Sequence, residues 1–181
     1  PLSLFFHALM SHVFLLTEKR FLTARSGDWY TQQVLDEDKL LSDALLALGI
    51  TTTRVEWSDP KIDWTTADAA VIRTTWDYFD RPSEFNSWLA NVQSQLLLIN
   101  APSLIRWNMD KHYLKDIEER GFPIVKTVFI KPGDSTTLSD VMESMNWTEV
   151  VLKPCISGGA RETYRIRKDQ VSAYESVLNK L

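Results

Sequence analysis

The chain has 181 residues, 44% hydrophobic and 24% charged, with a formal net charge of −4. That is a globular composition, long enough for one large or two small domains, and it excludes a disordered chain. The small negative charge and the lack of a long basic run argue against nucleic acid as the main partner. Cys155 is the only cysteine, which excludes an internal disulfide and points to a reducing, cytoplasmic setting.

Residues 1–10 (PLSLFFHALM) are apolar but lack a basic lead and a small-residue cleavage site, so they do not read as a signal peptide. The apolar run is broken by His7, Ser11 and His12 and is too short to span a bilayer, so no membrane partner is expected. The chain begins with Pro, and Met10 reads as close to the natural start. Residues 1–10 are therefore expected to be a non-native or disordered leader.

His12–Leu16 reads as a first strand, followed by a polar loop to Tyr30. Leu35, Leu41, Ala44, Leu45 and Leu48 recur at helical spacing, with Asp36, Glu37 and Asp38 near the expected start and Gly49 at the stop. This predicts a helix over 34–48. Thr51–Trp57 alternates and is rich in β-formers, predicting a second strand, and Ser58-Asp59-Pro60 a turn. Ala67–Ile72 predicts a third strand. Pro82 opens a helix to about Gln93 with Phe85, Trp88, Leu89 and Val92 as its stripe, and Leu96–Ile99 predicts a fourth strand. The order is β-α-β-β-α-β, or β-α-β-α-β with an added edge strand; either implies a small α/β layer around a largely parallel sheet.

Ligands of such sheets sit at the carboxyl ends of the strands. Arg73 and Asp77 fall just past the predicted third strand. Two readings stand: they contact substrate, Arg73 pairing with a carboxylate, or they form a salt-bridged loop.

Ser103–Arg120 reads as helical with a break near Asn108, stopped by Gly121-Phe122-Pro123. Ile124–Ile130 predicts a strand, Lys131–Asp134 a turn, Leu138–Met145 a short helix and Gln170–Leu181 a last helix. Between the last two lies Glu149–Ile166: an apolar strand closed by Lys153-Pro154, a small flexible stretch Ser157-Gly158-Gly159-Ala160, then the alternating Thr163–Ile166. Glycines let backbone N–H groups close in on an anion, Ser157 adds a hydroxyl, and Lys153 can place an ammonium alongside. An ordinary hairpin turn with a surface lysine fits the same residues. The loop matches neither the P-loop nor the Gly-x-Gly-x-x-Gly pattern. Cys155 reads as a small packing residue beside it.

Taken together, Asn100-x-Pro102, Arg106-Trp107-Asn108-x-Asp110-Lys111, Gly121–Thr127, Val150–Pro154 and Ser157-Gly158-Gly159 resemble the front half of an ATP-grasp nucleotide site. Arg73-Thr-Thr-Trp-Asp-Tyr78 is similar to bacterial ATP-grasp ligases with a glutathione-synthetase-type ATP-binding domain, a group that includes the cycloserine-forming ligase. The resemblance covers roughly residues 12–168. It implies a pre-ATP-grasp α/β domain over 11–102 and the first ATP-grasp subdomain over 103–181, with the second subdomain absent. It implies that Lys111 and Lys153 bind ATP phosphates, that Ser157, Gly158 and Gly159 form a flap over them, and that Arg73 and Asp77 face the acceptor substrate. For Lys111 taken alone, a solvated helix lysine is the alternative.

The cofactors so implied are ATP and Mg2+, and the partners a small-molecule carboxylate and a nucleophile that meet through an acylphosphate. In that family the adenine hinge and the magnesium ligands come from a later subdomain, and no Asp/Glu/Asn cluster after Ile166 matches it. The chain as given is therefore expected to be inactive alone: the front of a ligase, or a non-catalytic nucleotide-binding or assembly remnant. Apolar surface is expected on the Val150–Ile166 strands, which leaves a homo-oligomer open.

Overall fold

The computed structural model describes residues 11–181, in two compact units that divide after Arg106. The expected leader over 1–10 lies outside the described residues. No helix among the described residues is long and apolar enough to cross a membrane.

The first unit is a four-stranded, wholly parallel sheet. Its strands are β1 (His12–Thr17), β2 (Thr51–Glu56), β3 (Ala69–Thr74) and β4 (Leu97–Ile99), in spatial order β2-β1-β3-β4. Helix α1 (Trp29–Ala47) joins β1 to β2, and α2 (Pro82–Val92) joins β3 to β4. The alternation in β1 explains how both faces are filled, because successive side chains point to opposite faces. Val13 and Leu15 pack with Ala69, Leu41 of α1 and Ile50 on one face. Phe14 and Leu16 pack with Ala70, Trp64, Leu89 and Val92 on the other. The order of elements is β-α-β-β-α-β, one of the two patterns that the hydrophobic periodicity allows.

Three boundaries differ from the sequence reading, each for a physical reason. Helix α1 begins five residues early, because Asp28 caps it: Asp28 Oδ1 accepts from Thr31 N–H at 3.0 Å. Asp38, expected among dipole-favoured acids at the helix start, is instead buried in mid-helix. Strand β3 runs to Thr74, so Arg73 lies inside the strand rather than beyond it.

The second unit holds α3 (Pro102–Met109) continuing from the first, α4 (Tyr113–Glu119), α5 (Leu138–Ser144), an antiparallel pair β5 (Glu149–Leu152) and β6 (Tyr164–Arg167), and α6 (Val171–Leu178). Its core is Leu138, Met142, Ile166 and Val171, with half-buried Val150, Leu152, Tyr164 and Tyr174 around them. The expected break near Asn108 falls at 110–112, between α3 and α4. Ile124–Ile130, expected as a strand, forms no regular element and joins no ladder, and Val125 and Val128 are exposed. Its β-favouring side chains are not enough without a neighbouring strand, since β propensity largely measures packing on a sheet. The chain is thus a small parallel-sheet α/β unit followed by a smaller α+β unit.

Candidate functional site

In the second unit, Lys111 occupies the turn between α3 and α4. Its side chain reaches the segment after β5: Lys111 Nζ donates to Cys155 O and to Ser157 O, both at 3.1 Å. Its main-chain N–H also donates to Cys155 O, at 3.0 Å. Burial, and next the charge of Lys153, pull the Lys111 ammonium below its ordinary pKa. Lys111 and Lys153 are therefore close enough to repel, although the sequence sets them far apart.

The loop closes on itself. Ser157 Oγ donates to Arg161 O and Arg161 N–H donates to Gly158 O, each at 3.0 Å. Gly159, Ala160 and Glu162 adopt left-handed backbone angles, with φ of 58°, 58° and 49°. Only glycine does so without cost; for the other two the cost is about 1–2 kcal/mol each. Ser157, Gly158, Gly159, Lys111 and Lys153 are thus gathered in one neighbourhood. An ammonium carries three N–H donors, and Lys111 spends two on loop carbonyls. The third donor, the Lys153 ammonium and a loop with no Cβ at two positions make a donor set suited to a polyanion such as a nucleotide phosphate chain.

Beside it, one ligand atom each from Asp110, His112 and Cys155 lie within 4.8 Å of one another. His112 is fixed by Asp110, whose Oδ1 lies 2.7 Å from Nδ1, and by Phe129, on which its ring stacks at 4.3 Å. Burial pushes the Asp110 carboxyl up, but hydrogen bonds from the His112 main chain and ring outweigh it and hold the acid below its usual range. Burial raises the Cys155 thiol, and the Asp110 charge adds to the effect. Magnesium takes hard oxygen donors. A ring nitrogen and a protonated thiol beside one carboxylate do not fit it.

In the first unit, Arg73 and Asp77 have separate partners. Arg73 Nε donates to Asp38 Oδ1 at 2.8 Å, and Arg54 Nε donates to the other oxygen, Oδ2, at 2.7 Å. Asp38 thus balances two guanidinium groups. Asp77 lies in the 3-10 turn Trp76–Phe79, accepts from Trp57 Nε1 at 2.7 Å and forms an ion pair with Arg81. The Arg81 guanidinium sits 4.4 Å over the Trp57 ring. Both residues take part in salt bridges, and the structure does not bring them together.

Sequence reasoning missed Glu18, which follows β1 directly and is 8% exposed. Its N–H donates to Thr74 O at 2.9 Å, and burial, then the Asp77 charge, raise its carboxyl pKa. Beside it the hydroxyls of Thr17 and Thr74 share a hydrogen bond of 2.6 Å. The available signal was an acid placed immediately after an apolar strand run. Asp38 and Arg54 carried none, because their pairing spans 16 residues.

Residues 13–100 match the family described as "D-cycloserine synthetase DcsG, N-terminal domain". The Streptomyces lavendulae cycloserine biosynthesis protein DcsG is 30% identical over 132 residues, covering 71% of this chain and 44% of that protein. The crystal structure of D-cycloserine synthetase DcsG superposes with a TM-score of 0.79 at 25% identity, over 94% of this chain and 55% of that one. An ATP-grasp RimK domain protein from Sphaerobacter thermophilus shares the fold, with a TM-score of 0.65 at 16% identity over 93% of this chain and 60% of that one. The chain spans about half the length of these relatives.

Proposed function

We propose that this chain, which belongs with the N-terminal portion of ATP-grasp ligases of the D-cycloserine synthetase kind, binds ATP for joining a carboxylate to an amine or similar nucleophile. The observation that carries this reading is the reach of Lys111 to the carbonyls of Cys155 and Ser157, with the Lys153 charge alongside. Two ammonium groups and a glycine-bearing loop meet there, with the Asp110 carboxyl beside Lys111. Repulsion between the ammonium groups favours an anion that both can touch.

When bound, ATP supplies the phosphoryl group that activates a carboxylate as an acylphosphate. The chain's own residues position and neutralise. Lys153 and the third Lys111 donor offset charge on phosphate oxygens, an effect strengthened where water is excluded. Ser157 turns its hydroxyl from Arg161 O toward an incoming oxygen. Gly158 and Gly159 let the main chain approach, and the loop shields the phosphate from water. The first unit supplies the acceptor side, at the carboxyl ends of β1 and β3. A small-molecule carboxylate and nucleophile are the partners.

Calorimetric titration of the 181-residue chain with Mg-ATP tests this. Binding is expected, weaker than low micromolar, because the groups gathered at this loop meet the phosphate chain alone. Lys153→Ala is expected to weaken it at least about tenfold, or about 1.4 kcal/mol. Unchanged affinity in Lys153→Ala and in Lys111→Ala would sink the reading and leave an α/β substrate-binding unit that does not hold nucleotide this way.

A further inference from the structure

Three side chains of the second unit that the phosphate reading leaves unused offer an oxygen, a nitrogen and a sulfur in one place. The ligand atoms of Asp110, His112 and Cys155 all fall within 4.8 Å of one another. Asp110 and His112 flank Lys111 in the turn between α3 and α4, whereas Cys155 follows β5, 44 residues along the chain from Lys111. The fold alone brings them together, and it fixes both sides of the cluster. Lys111 N–H donates to Cys155 O at 3.0 Å, which pins the turn against the Cys155 main chain. His112 N–H donates to Asp110 Oδ1 at 2.9 Å, and the His112 ring stacks on Phe129. The Asp110 and His112 side chains are 42% and 49% exposed, so an ion reaches them from solvent.

Donor chemistry selects the kind of ion. Imidazole and thiolate suit zinc and its transition-metal neighbours, whereas magnesium and calcium take oxygen donors. Three protein ligands leave a fourth tetrahedral position for water, the coordination of an open zinc site. Bonds of about 2.0–2.3 Å set tetrahedral ligands roughly 3.3–3.8 Å apart. The widest separation in the cluster therefore closes by about 1 Å on binding, and the 2.7 Å contact between Asp110 and His112 opens by less. Charge also balances. Binding sends the thiol proton to water, and the Cys155 thiolate and Asp110 carboxylate together cancel a divalent ion. The ammonium groups of Lys111 and Lys115, which act on Cys155, then face no net charge.

We propose that Asp110, His112 and Cys155 form a site for a zinc-class divalent ion, which clamps the turn between α3 and α4 to the start of the glycine-bearing loop. The site is separate from any magnesium that accompanies ATP. It does not depend on nucleotide binding by Lys111 and Lys153.

Cobalt(II) is the probe, titrated into the 181-residue chain with a phosphine reductant and without nucleotide. Cys155 is the only cysteine, so a thiolate-to-cobalt charge-transfer band reports this site alone, whatever His7 and His12 bind. The band is expected to saturate at one ion per chain, with visible bands of tetrahedral strength. Zinc is expected to displace the cobalt, and a large excess of magnesium to leave it in place. Cys155→Ser is expected to abolish the band. His112→Phe, which keeps a ring on Phe129, and Asp110→Asn are each expected to weaken cobalt binding at least about tenfold, since even outer partners of a metal ligand are worth that much. Amide spectra of the metal-free variants check that each is folded, and three variants keep the test decisive where one disturbs the turn. Saturating cobalt without the charge-transfer band overturns the site. So does a folded His112→Phe or Asp110→Asn variant that holds cobalt like wild type. Mg-ATP calorimetry on metal-free samples reports separately on the nucleotide reading, and either can fail while the other stands.

Discussion

The two units bury their cores by different means. In the first, a parallel sheet is covered on both faces, and Trp57, Phe85 and Trp88 interlock with ring centroids 5.0–5.6 Å apart. In the second, two four-residue strands and helices of seven and eight residues enclose a handful of apolar side chains. An isolated strand pair is marginal in water, and so are helices this short. The second unit also leaves Phe122, Val125 and Val128 exposed along a stretch that pairs with no strand. The glycine-bearing loop thus hangs from the less anchored unit, whereas Arg73 and Asp77 stand on the better anchored one. Sites that must open and close are drawn from regions of low local stability.

The largest effects should separate the units. Phe85 is 1% exposed and packs on Trp57, Tyr78 and Trp88. Phe85→Ala is expected to cost about 3–5 kcal/mol. In urea, monitored by hydrogen exchange, β1–β3 amides should lose protection while β5 and β6 amides keep theirs. Loss of protection in both units together would break the comparison, because it would mean that they unfold as one.

Asp38→Asn sharpens it inside the first unit. Removing one member of a buried ion pair costs about 3–5 kcal/mol when the partners stay buried. The lower end is expected here, because the Arg73 side chain is 31% exposed and can reach water. A loss below about 1 kcal/mol, the range of surface pairs, would show that Asp38 is not the charge centre of this face.

How much of this was legible in the sequence differs between the units in the same way. The strands of the first could be read from runs such as Val13–Leu16, whose alternation feeds two faces. Sandwiched strands carry their environment in their own side chains. Ile124–Ile130 carries the same composition, yet no strand lies alongside it, and a partner is not a property of the segment. Lys153 and the glycines stood out locally, as residues that suit an anion. The reach of Lys111 across 44 and 46 residues did not; only the resemblance put it beside the loop. Arg73 and Asp77 were legible as charges near a strand end. Their partners were not, because Asp38 and Trp57 come from other elements. Glu18 was passed over because the predicted strand stopped at Leu16, which left it in a polar loop.

The smallest effect tests whether the second unit is as marginal as its size suggests. Helix α5 has only seven residues and begins with a capping box: Thr137 Oγ1 accepts from Asp140 N–H at 3.0 Å, and Asp140 Oδ2 accepts from Thr137 N–H at 3.1 Å. Glu175 of α6 adds two more acceptors, taking the N–H groups of Leu138 and Ser139, each at 3.0 Å. The exposed donors at the helix start are therefore met from two sides, one of them 36 and 37 residues away. Thr137→Ala removes the hydroxyl and should cost about 1 kcal/mol, within the ordinary range for a lost cap. In a large core such a loss would go unnoticed. Here it should appear as faster amide exchange throughout β5, β6 and α6, because Leu138 and Met142 tie α5 to the same small core as Ile166 and Val171. Faster exchange confined to the first turn of α5 would mean that Glu175 alone holds the helix, and that the second unit is sturdier than its core implies.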